Sequence, residues 1–178
     1  MKYDVIVIGG GPAGMFSAIT AAENNCRVLL LEANERLGKK LLITGKGRCN
    51  VTNNCSVQEV LQNIPRNGRF LYSALEGCPP LKIIEFFEQN GCPMKTERGN
   101  RVFPVSDKSQ SVLECLQRVL RQLNVKVQFL RVLDILQVDG KIVGVKIFDD
   151  DKSKKTVQKM LASSVEEAVG SFTRGDVA

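Results

Sequence analysis

A βαβ pattern around three closely spaced glycines begins the chain. The apolar run of residues 5–8 leads into Gly9, Gly11 and Gly14, a helical stretch follows, and a second apolar run ends in Glu32. In such a unit the glycines allow a tight turn, close approach of backbone to a pyrophosphate and close packing of helix on strand. The helix N-terminus offers N–H groups and the positive end of its dipole to phosphate. The pattern predicts a parallel α/β sheet that binds a dinucleotide.

Glu32 bears on which dinucleotide is bound. Its carboxylate stands at the end of the second predicted strand, where it can accept both hydroxyls of an adenosine ribose. A carboxylate repels a 2′-phosphate, which disfavours NADP and leaves NAD and FAD open. The spacing from Gly14 to Glu32 resembles that of FAD-binding proteins. NAD and FAD share the ADP half, however, so a site for ADP alone does not decide between them. A structural βα turn that binds nothing is the alternative.

Composition and charge narrow the class of protein. With 178 residues, of which 43% are hydrophobic, the chain is expected to form one domain of ordinary size, with or without a tail. A net charge of +6 suits a pyrophosphate. The basic residues are scattered and not interleaved with aromatics, so no nucleic-acid partner is expected. No apolar run has the length of a membrane span and the first strand leaves no room for a signal peptide, so no membrane association is expected.

The chain has six cysteines and no histidine. No CxxC pair is present, which argues against a zinc ribbon and a thioredoxin-type pair. Without histidine, imidazole acid–base catalysis and most zinc sites are excluded. We therefore expect no metal site, reduced thiols and a cytoplasmic location.

Beyond Glu32 the sequence predicts further helices and strands. Helices are predicted over residues 57–63, 70–76, 80–89 and 108–123. A third strand is predicted over Val125–Leu130, followed by a hairpin of residues 132–138 and 141–148 around Asp139-Gly140. Residues 157–169 have helical periodicity.

A basic, glycine-spaced loop follows Glu32. In its segment 44–50, backbone N–H groups, Arg48 and Asn50 suit contact with a flavin ring, where they would stabilise negative charge on the reduced ring. A phosphate-contacting or purely structural loop is the alternative. Cys49 is either a redox thiol or, more commonly for a lone cysteine, a small packing residue.

Taken together, these motifs resemble one flavoprotein family. The segments DVIVIGGGPAG, LGKKLLITGKGRCNVTN, FFEQNG and RVFPVSDKSQSVLECL are similar to those of the BaiN-like (YhiN-type, aminoacetone-oxidase-like) NAD(P)/FAD-dependent oxidoreductases. The resemblance runs from about residue 3 to residue 148. It implies a Rossmann-like FAD-binding domain with a parallel sheet and a β-meander. It also implies transfer of hydride or electrons between FAD and an organic small molecule or NAD(P)H, with NAD(P)H as a transient reductant left open.

The resemblance also implies which residues hold the cofactor. The ADP half of FAD is bound through the glycine turn and Glu32, and Arg48, Cys49 and Asn50 lie near the flavin. The complete predicted cofactor-binding set is Gly9, Gly11, Pro12, Ala13, Gly14, Glu32, Ala33, Lys40, Gly47, Arg48, Cys49 and Asn50. No catalytic side chain is predicted, because the flavin itself carries the difficult step.

Members of this family are longer chains, and from residue 149 onward the sequence does not resemble them. We therefore expect a FAD-binding domain at residues 1–148, incomplete relative to the family, and a non-matching helical tail at 149–178. A second chain or a second copy would cover the open sheet. Two alternatives to a truncated FAD-dependent oxidoreductase stay open: a non-catalytic dinucleotide-binding module, and an inactive remnant that needs a partner chain.

Overall fold

The computed structural model of the protein describes residues 3–149 and 156–161. These residues form two compact units. The first unit contains the described residues of 3–36 and 123–161, and the second unit contains Leu37–Gln122. The division of the chain at residue 148 stays a prediction.

The elements are named here in chain order. They are β1 (Val5–Ile8), α1 (Pro12–Glu23), β2 (Val28–Glu32), a 3-10 segment (Leu41–Gly47), β3 (Thr52–Asn53), α2 (Val57–Gln62), a second 3-10 segment (Gly68–Leu71), α3 (Tyr72–Gly77), α4 (Pro80–Gln89), β4 (Met94–Glu97), β5 (Arg101–Pro104), α5 (Ser109–Gln122), β6 (Lys126–Phe129), β7 (Arg131–Val138), β8 (Lys141–Asp149) and β9 (Thr156–Leu161).

A parallel sheet of order β1-β2-β6 forms the centre of the first unit. Strand β2 lies between its two neighbours, with Val5 opposite Val28 and Leu29 opposite Lys126, and all five of its residues are buried. A run of β-branched and leucine residues is what a strand covered on both faces requires. The Rossmann-like parallel sheet predicted from the sequence is confirmed.

The strands β7, β8 and β9 form a separate antiparallel sheet in the same unit. The hairpin between β7 and β8 turns at Asp139 and Gly140, both with positive φ (49° and 75°), as the tight Asp-Gly turn requires. Val145 and Ile147 of β8 pack against Leu29 and Leu31 of β2 in one buried cluster. The β-meander that the resemblance implies is therefore present.

One prediction in this sheet is wrong. Residues 157–161 were expected to be helical, but they lie in β9, which pairs antiparallel with β8 from Thr156 opposite Asp149 to Leu161 opposite Gly144. The backbone pairing along β8 overrides a weak helical periodicity, as tertiary context commonly does. The rest of that predicted helix, residues 162–169, lies outside the described residues.

In the second unit, helix α5 and a small antiparallel sheet of order β3-β5-β4 supply the main elements. The buried residues of α5 recur at helical spacing: Ser109, Val112, Leu113, Cys115, Leu116, Val119 and Leu120. The four helices predicted in this part of the chain are confirmed, with ends that differ from the prediction by at most two residues. Strands β3 and β4 were missed, although the Gly99-Asn100 turn before β5 is a signal for a hairpin.

Candidate functional site

A glycine turn joins β1 to α1 in the first unit. Gly9 has φ +102°, a backbone conformation that residues with a side chain rarely adopt. Gly14, in the first turn of α1, lies directly against it: a Cβ atom at position 14 would be 1.8 Å from the Gly9 carbonyl oxygen. The turn and the helix N-terminus are therefore in direct backbone contact, and position 14 admits only glycine.

The N-terminus of α1 faces open space beside this turn. A Cβ atom at Gly11 would meet nothing within 4 Å, and Gly11 itself has ordinary dihedral angles, φ −76° and ψ 177°. Pro12 takes the first helical position, and the first turn has no acidic side chain. The N–H groups of Ala13 and Gly14 have no acceptor within the helix. Together with the helix dipole they make a site for an anion.

Glu32 ends β2 and is linked to the turn by hydrogen bonds. Only 8% of the residue is exposed. Its Oε2 accepts from the Gly10 backbone N–H at 2.7 Å, and its Oε1 accepts from the Asn34 backbone N–H at 2.7 Å and from the Asn34 Nδ2 at 2.5 Å. Burial acts to raise the pKa of Glu32, but the hydrogen bonds from Asn34, Gly10 and Ala33 outweigh it and hold the pKa below its ordinary value. Glu32 is therefore a buried, ionised acceptor beside the helix N-terminus.

The structure thus brings seven of the predicted cofactor-binding residues together in the first unit: Gly9, Gly11, Pro12, Ala13, Gly14, Glu32 and Ala33. Pro12, Ala13 and Ala33 are exposed. The other five lie in the second unit: Lys40, Gly47, Arg48, Cys49 and Asn50.

Arg48 in the second unit is held by two carboxylates. Its Nε and Nη2 donate to Asp107 Oδ1 at 2.9 and 2.6 Å, and its Nη2 donates to Glu97 Oε1 at 2.5 Å. Its guanidinium also lies 4.2 Å from the centre of the Phe103 ring. Lys95 Nζ completes the group, at 2.6 Å from Asp107 and 3.5 Å from Glu97. We call Arg48, Lys95, Glu97 and Asp107 the ion-pair cluster.

The cluster sets the ionisation of its members. Hydrogen bonds from Lys95 and Arg48 lower the pKa of Asp107, and the hydrogen bond from Arg48 lowers the pKa of Glu97. In return, Glu97 and Asp107 raise the pKa of Arg48. The charge of Arg48 is therefore matched by its own neighbours, and its side chain fixes the loop of residues 44–50 to β4 and to the residues before α5. Lys95 and Glu97 were not predicted, because they lie on the strand that sequence reasoning missed.

The remaining residues of this loop differ in exposure. Lys40 and Asn50 are exposed, whereas Gly47 is half-buried with φ +83°. Cys49 is only 5% exposed, and burial raises the pKa of its thiol. A buried thiol of raised pKa is a poor nucleophile, which favours the packing interpretation of Cys49 over the redox one.

Comparison with known proteins places the chain in a family. The model of the HI0933-like protein Rossmann domain matches residues 3–173. The chain belongs to this family. The resemblance drawn from the sequence motifs is thereby confirmed, and the match continues beyond residue 148, where the resemblance was expected to end.

Two curated proteins are similar to this HI0933-like chain. The 3-dehydro-bile acid delta(4,6)-reductase of Clostridium scindens is 37% identical over 123 residues, which are 68% of this chain and 29% of that protein. The ribosomal RNA dihydrouridine synthase of Escherichia coli is 31% identical over 115 residues, 65% of this chain and 28% of that protein. The chain spans less than a third of the length of these curated relatives.

Solved structures share the fold of the HI0933-like chain. The 3-ketosteroid-delta4-(5alpha)-dehydrogenase of Rhodococcus jostii RHA1 has a TM-score of 0.67 at 17% identity, over 90% of this chain and 44% of that one. A quinol-fumarate reductase has a TM-score of 0.67 at 17% identity, over 91% of this chain and 32% of that one. Among the described residues of the HI0933-like chain, no helix has the length and apolar character to cross a membrane, and no cluster of side chains is arranged to hold a metal ion.

The ion-pair cluster leads to a prediction about stability and pH. Asp107→Asn keeps the shape of the side chain and tolerates the positive φ of 56° at this position. Because the pKa of Asp107 is lowered in the folded protein, its stabilisation is present above the unfolded pKa of about 3.9 and is lost as pH falls through the folded value. The variant is therefore expected to have a lower urea midpoint than the parent at neutral pH, and the two midpoints are expected to converge in acid.

A matched control is Asp139→Asn, which makes the same change at another residue of positive φ, at the tip of the β7–β8 hairpin. Its urea midpoint at neutral pH should match that of the parent. The effect of Asp107→Asn should be modest, because the side chains of the cluster are 29–46% exposed and water screens their charges. A midpoint difference that persists unchanged in acid would contradict the ionic origin of the effect.

Proposed function

We propose that this chain binds FAD through its βαβ unit and forms the FAD-binding part of an oxidoreductase. The observation that carries the proposal is the convergence, in one unit, of a glycine turn, an unobstructed helix N-terminus and a buried ionised Glu32. The names of the reductase and dehydrogenase among the similar proteins support the reaction class. The family match supports the nucleotide-binding fold.

The residues of the turn fit the ADP half of FAD. The N–H groups of Ala13 and Gly14 would donate hydrogen bonds to the pyrophosphate. The open space beside Gly11 leaves room for it. Glu32 would accept hydrogen bonds from the ribose hydroxyls. A carboxylate has about four acceptor sites, and the hydrogen bonds from Gly10, Ala33 and Asn34 occupy them. A ribose hydroxyl therefore binds Glu32 by replacing one of these donors, for which the exposed Asn34 side chain must turn away.

The loop of residues 44–50 is proposed as the flavin-side contact. When bound, FAD supplies hydride or electron transfer. Because Arg48 is held by Glu97 and Asp107, its part here is to fix the loop. The exposed Lys40 and Asn50, and the backbone of Gly47, are the groups proposed to contact the cofactor. The proposed substrate is an organic small molecule, for which the bile-acid reductase relative gives support. A transient role for NAD(P)H remains part of the proposal.

A partner strand and a location complete the proposal. Among the described residues, β1 pairs on one side only, with β2. A further strand from a second chain or a second copy is proposed to pair along its other side, since an unpaired strand edge readily recruits one. A cytoplasmic location is proposed on the ground that all six cysteines are free thiols.

Reconstitution tests the proposed cofactor. The purified chain is mixed with FAD, passed through a desalting column and scanned for the flavin absorbance bands, with ADP affinity measured in parallel by calorimetry. Retention of FAD together with ADP binding supports the proposal. Binding of ADP without retention of FAD favours a non-catalytic nucleotide module, and binding of neither favours an inactive remnant.

Removal of the Glu32 carboxylate is expected to weaken nucleotide binding. Glu32→Ala should raise the Kd for ADP by roughly tenfold to a hundredfold, because charge-assisted hydrogen bonds to the ribose contribute about 1.5–3 kcal/mol. Calorimetric titration with ADP measures the change. Glu23→Ala, which removes an exposed carboxylate at the other end of α1, serves as the control. Equal affinities for Glu32→Ala and the control would show that Glu32 does not hold the ribose.

A further inference from the structure

The net positive charge of the chain belongs to its second unit. Residues 37–122 contain 13 lysines and arginines and 7 aspartates and glutamates, whereas the rest of the chain contains 12 basic and 12 acidic residues. The whole net charge of +6 therefore lies in the second unit. Such an asymmetry between two parts of a chain is typical of a protein that binds a polyanion. The surface of this unit is where a polyanionic ligand would be bound.

One segment of this unit exposes aromatic rings and cations together. Phe70 is 87% exposed and Tyr72 is 52% exposed. Arg66 and Arg69 are exposed as well, and neither guanidinium forms a hydrogen bond or an ion pair with another described residue. Large aromatic side chains left in water, in one segment with two arginines that have no carboxylate partner, are typical of a binding surface. We call residues 64–72 the basic aromatic segment.

Backbone contacts fix the turn of the basic aromatic segment. Asn67 has φ 55°, a left-handed conformation that asparagine tolerates, and its carbonyl oxygen accepts from the Phe70 N–H at 2.9 Å. Gly68 lies so close to the end of α2 that a Cβ atom there would be 3.0 Å from the Leu61 carbonyl oxygen. The turn between α2 and α3 is therefore formed before any ligand arrives, which lowers the entropic cost of binding.

The same segment forms the wall of a partly open cavity of about 470 Å³. The residues that line it are Ile64, Arg66, Asn67, Arg69, Phe70 and Leu71. This wall combines two cations with apolar surface and contains no carboxylate. The volume lies within the range of roughly 300–1,000 Å³ that is usual for sites of small organic groups, so a nucleobase with its sugar fits.

We propose that the basic aromatic segment binds single-stranded nucleic acid. A base stacks on the exposed ring of Phe70, and Arg66 and Arg69 contact phosphates of the same strand. Every base has a π face, so binding does not depend on base sequence. The bases of a duplex are stacked on each other and are not available to the ring. Along the chain as a whole the basic residues are not interleaved with aromatics, which is why the sequence predicted no nucleic-acid partner, and this segment is the exception.

Charge and shape favour nucleic acid over other occupants of this surface. A second copy of the chain would bring another unit with the same excess of positive charge against it, which disfavours self-association. An acidic polypeptide would match the two arginines, but it lacks the row of flat bases that the exposed rings can stack. An anionic membrane is bound by the apolar face of an amphipathic helix, whereas this segment contains only the four-residue 3-10 turn Gly68–Leu71 and the first residue of α3.

Fluorescence anisotropy tests the proposal on the full chain. A fluorescein-labelled oligouridylate of about twelve nucleotides, which stays single-stranded, is titrated with the protein at several salt concentrations. The expected result is saturable binding that weakens as salt rises, and much weaker binding of a labelled RNA duplex of the same length. Failure to bind the single strand would overturn the proposal, and so would equal affinity for the duplex. Labelled polyglutamate or vesicles of anionic lipid that bind as tightly as the oligouridylate would also overturn it.

Variants at exposed positions locate the binding surface. Phe70→Ala should raise the Kd for the oligouridylate at least about fivefold through the loss of stacking. Val105→Ala, which trims an exposed apolar side chain elsewhere in the unit, should bind as the parent does. Arg66→Gln and Arg69→Gln should each lower the slope of log Kd against log salt concentration by about 0.7, the value of one phosphate contact on a single strand. Arg121→Gln removes the same charge from the end of α5 and should leave the slope unchanged.

The side chains changed in the segment are exposed, so the variants should fold as the parent does, which circular dichroism checks. Parent-like Kd and salt slope in all three variants of the segment would show that RNA binds elsewhere and would overturn the proposal. The segment contains none of the residues proposed to bind FAD, and the titrations are made without FAD. The failure of this proposal is therefore distinguishable from failure of the proposed function.

Discussion

Gly11→Val is expected to abolish the binding of ADP and FAD while the first unit stays folded. The valine side chain would extend into the open space beside the N-terminus of α1, where the pyrophosphate must approach the backbone. Loss of two charge-assisted hydrogen bonds to phosphate, at about 1.5–3 kcal/mol each, corresponds to an affinity at least roughly a hundredfold lower. The dihedral angles at Gly11 suit a residue with a side chain, so the fold loses only about 1 kcal/mol through the poorer N-cap.

Calorimetry with ADP and thermal unfolding followed by circular dichroism separate these two effects. Gly77→Val is the matched control. A Cβ atom at Gly77 also meets nothing within 4 Å, and Gly77 is the last residue of α3, in the second unit. The control should bind ADP as the parent does. Parent-like affinity in Gly11→Val would instead show that no pyrophosphate lies against this turn.

The sequence was sufficient to predict the glycine turn and the β7–β8 hairpin of the first unit because their signals are local. A glycine turn has few alternatives once a β-branched strand precedes it and an acid ends the next strand. The Asp-Gly hairpin is similarly self-contained, because positive φ at Asp139 and Gly140 is needed wherever two strands turn so tightly. These features depend on residues a few positions apart, and the structure has them where they were predicted.

The features that were missed depend on distant residues. Arg48 and Asp107 are far apart in the sequence, and each alone is consistent with an exposed charge. Only the fold brings them together and fixes Arg48 in the ion-pair cluster. Strand β9 is a similar case. Thr156–Leu161 is a strand because it pairs with β8, and the sequence pattern of the segment itself does not indicate that β8 lies beside it.

Gly14→Ala is expected to be the most destabilising single methyl addition in the glycine turn. The added carbon would lie 1.8 Å from the Gly9 carbonyl oxygen and 3.1 Å from the Gly9 carbonyl carbon, so α1 must move away from β1 or the turn must open. Both of these atoms belong to the backbone, so they cannot move aside by a change of side-chain rotamer. We expect a loss of about 3 kcal/mol or more in the free energy of unfolding, and a fall in Tm of roughly 6–12 °C for a chain of this size.

Gly11→Ala is the control for this prediction, because it adds the same methyl group three positions earlier, where nothing lies within 4 Å. It should cost no more than about 1 kcal/mol. Gly14→Ala should also lose ADP binding, since the N–H groups of Ala13 and Gly14 move with the helix. The pair Gly11→Val and Gly14→Ala therefore separates the two parts of the motif: the first removes binding and keeps stability, and the second removes both. A Gly14→Ala variant with the Tm and ADP affinity of the parent would show that α1 does not rest on the Gly9 carbonyl, and the proposed phosphate site would lose its geometric basis.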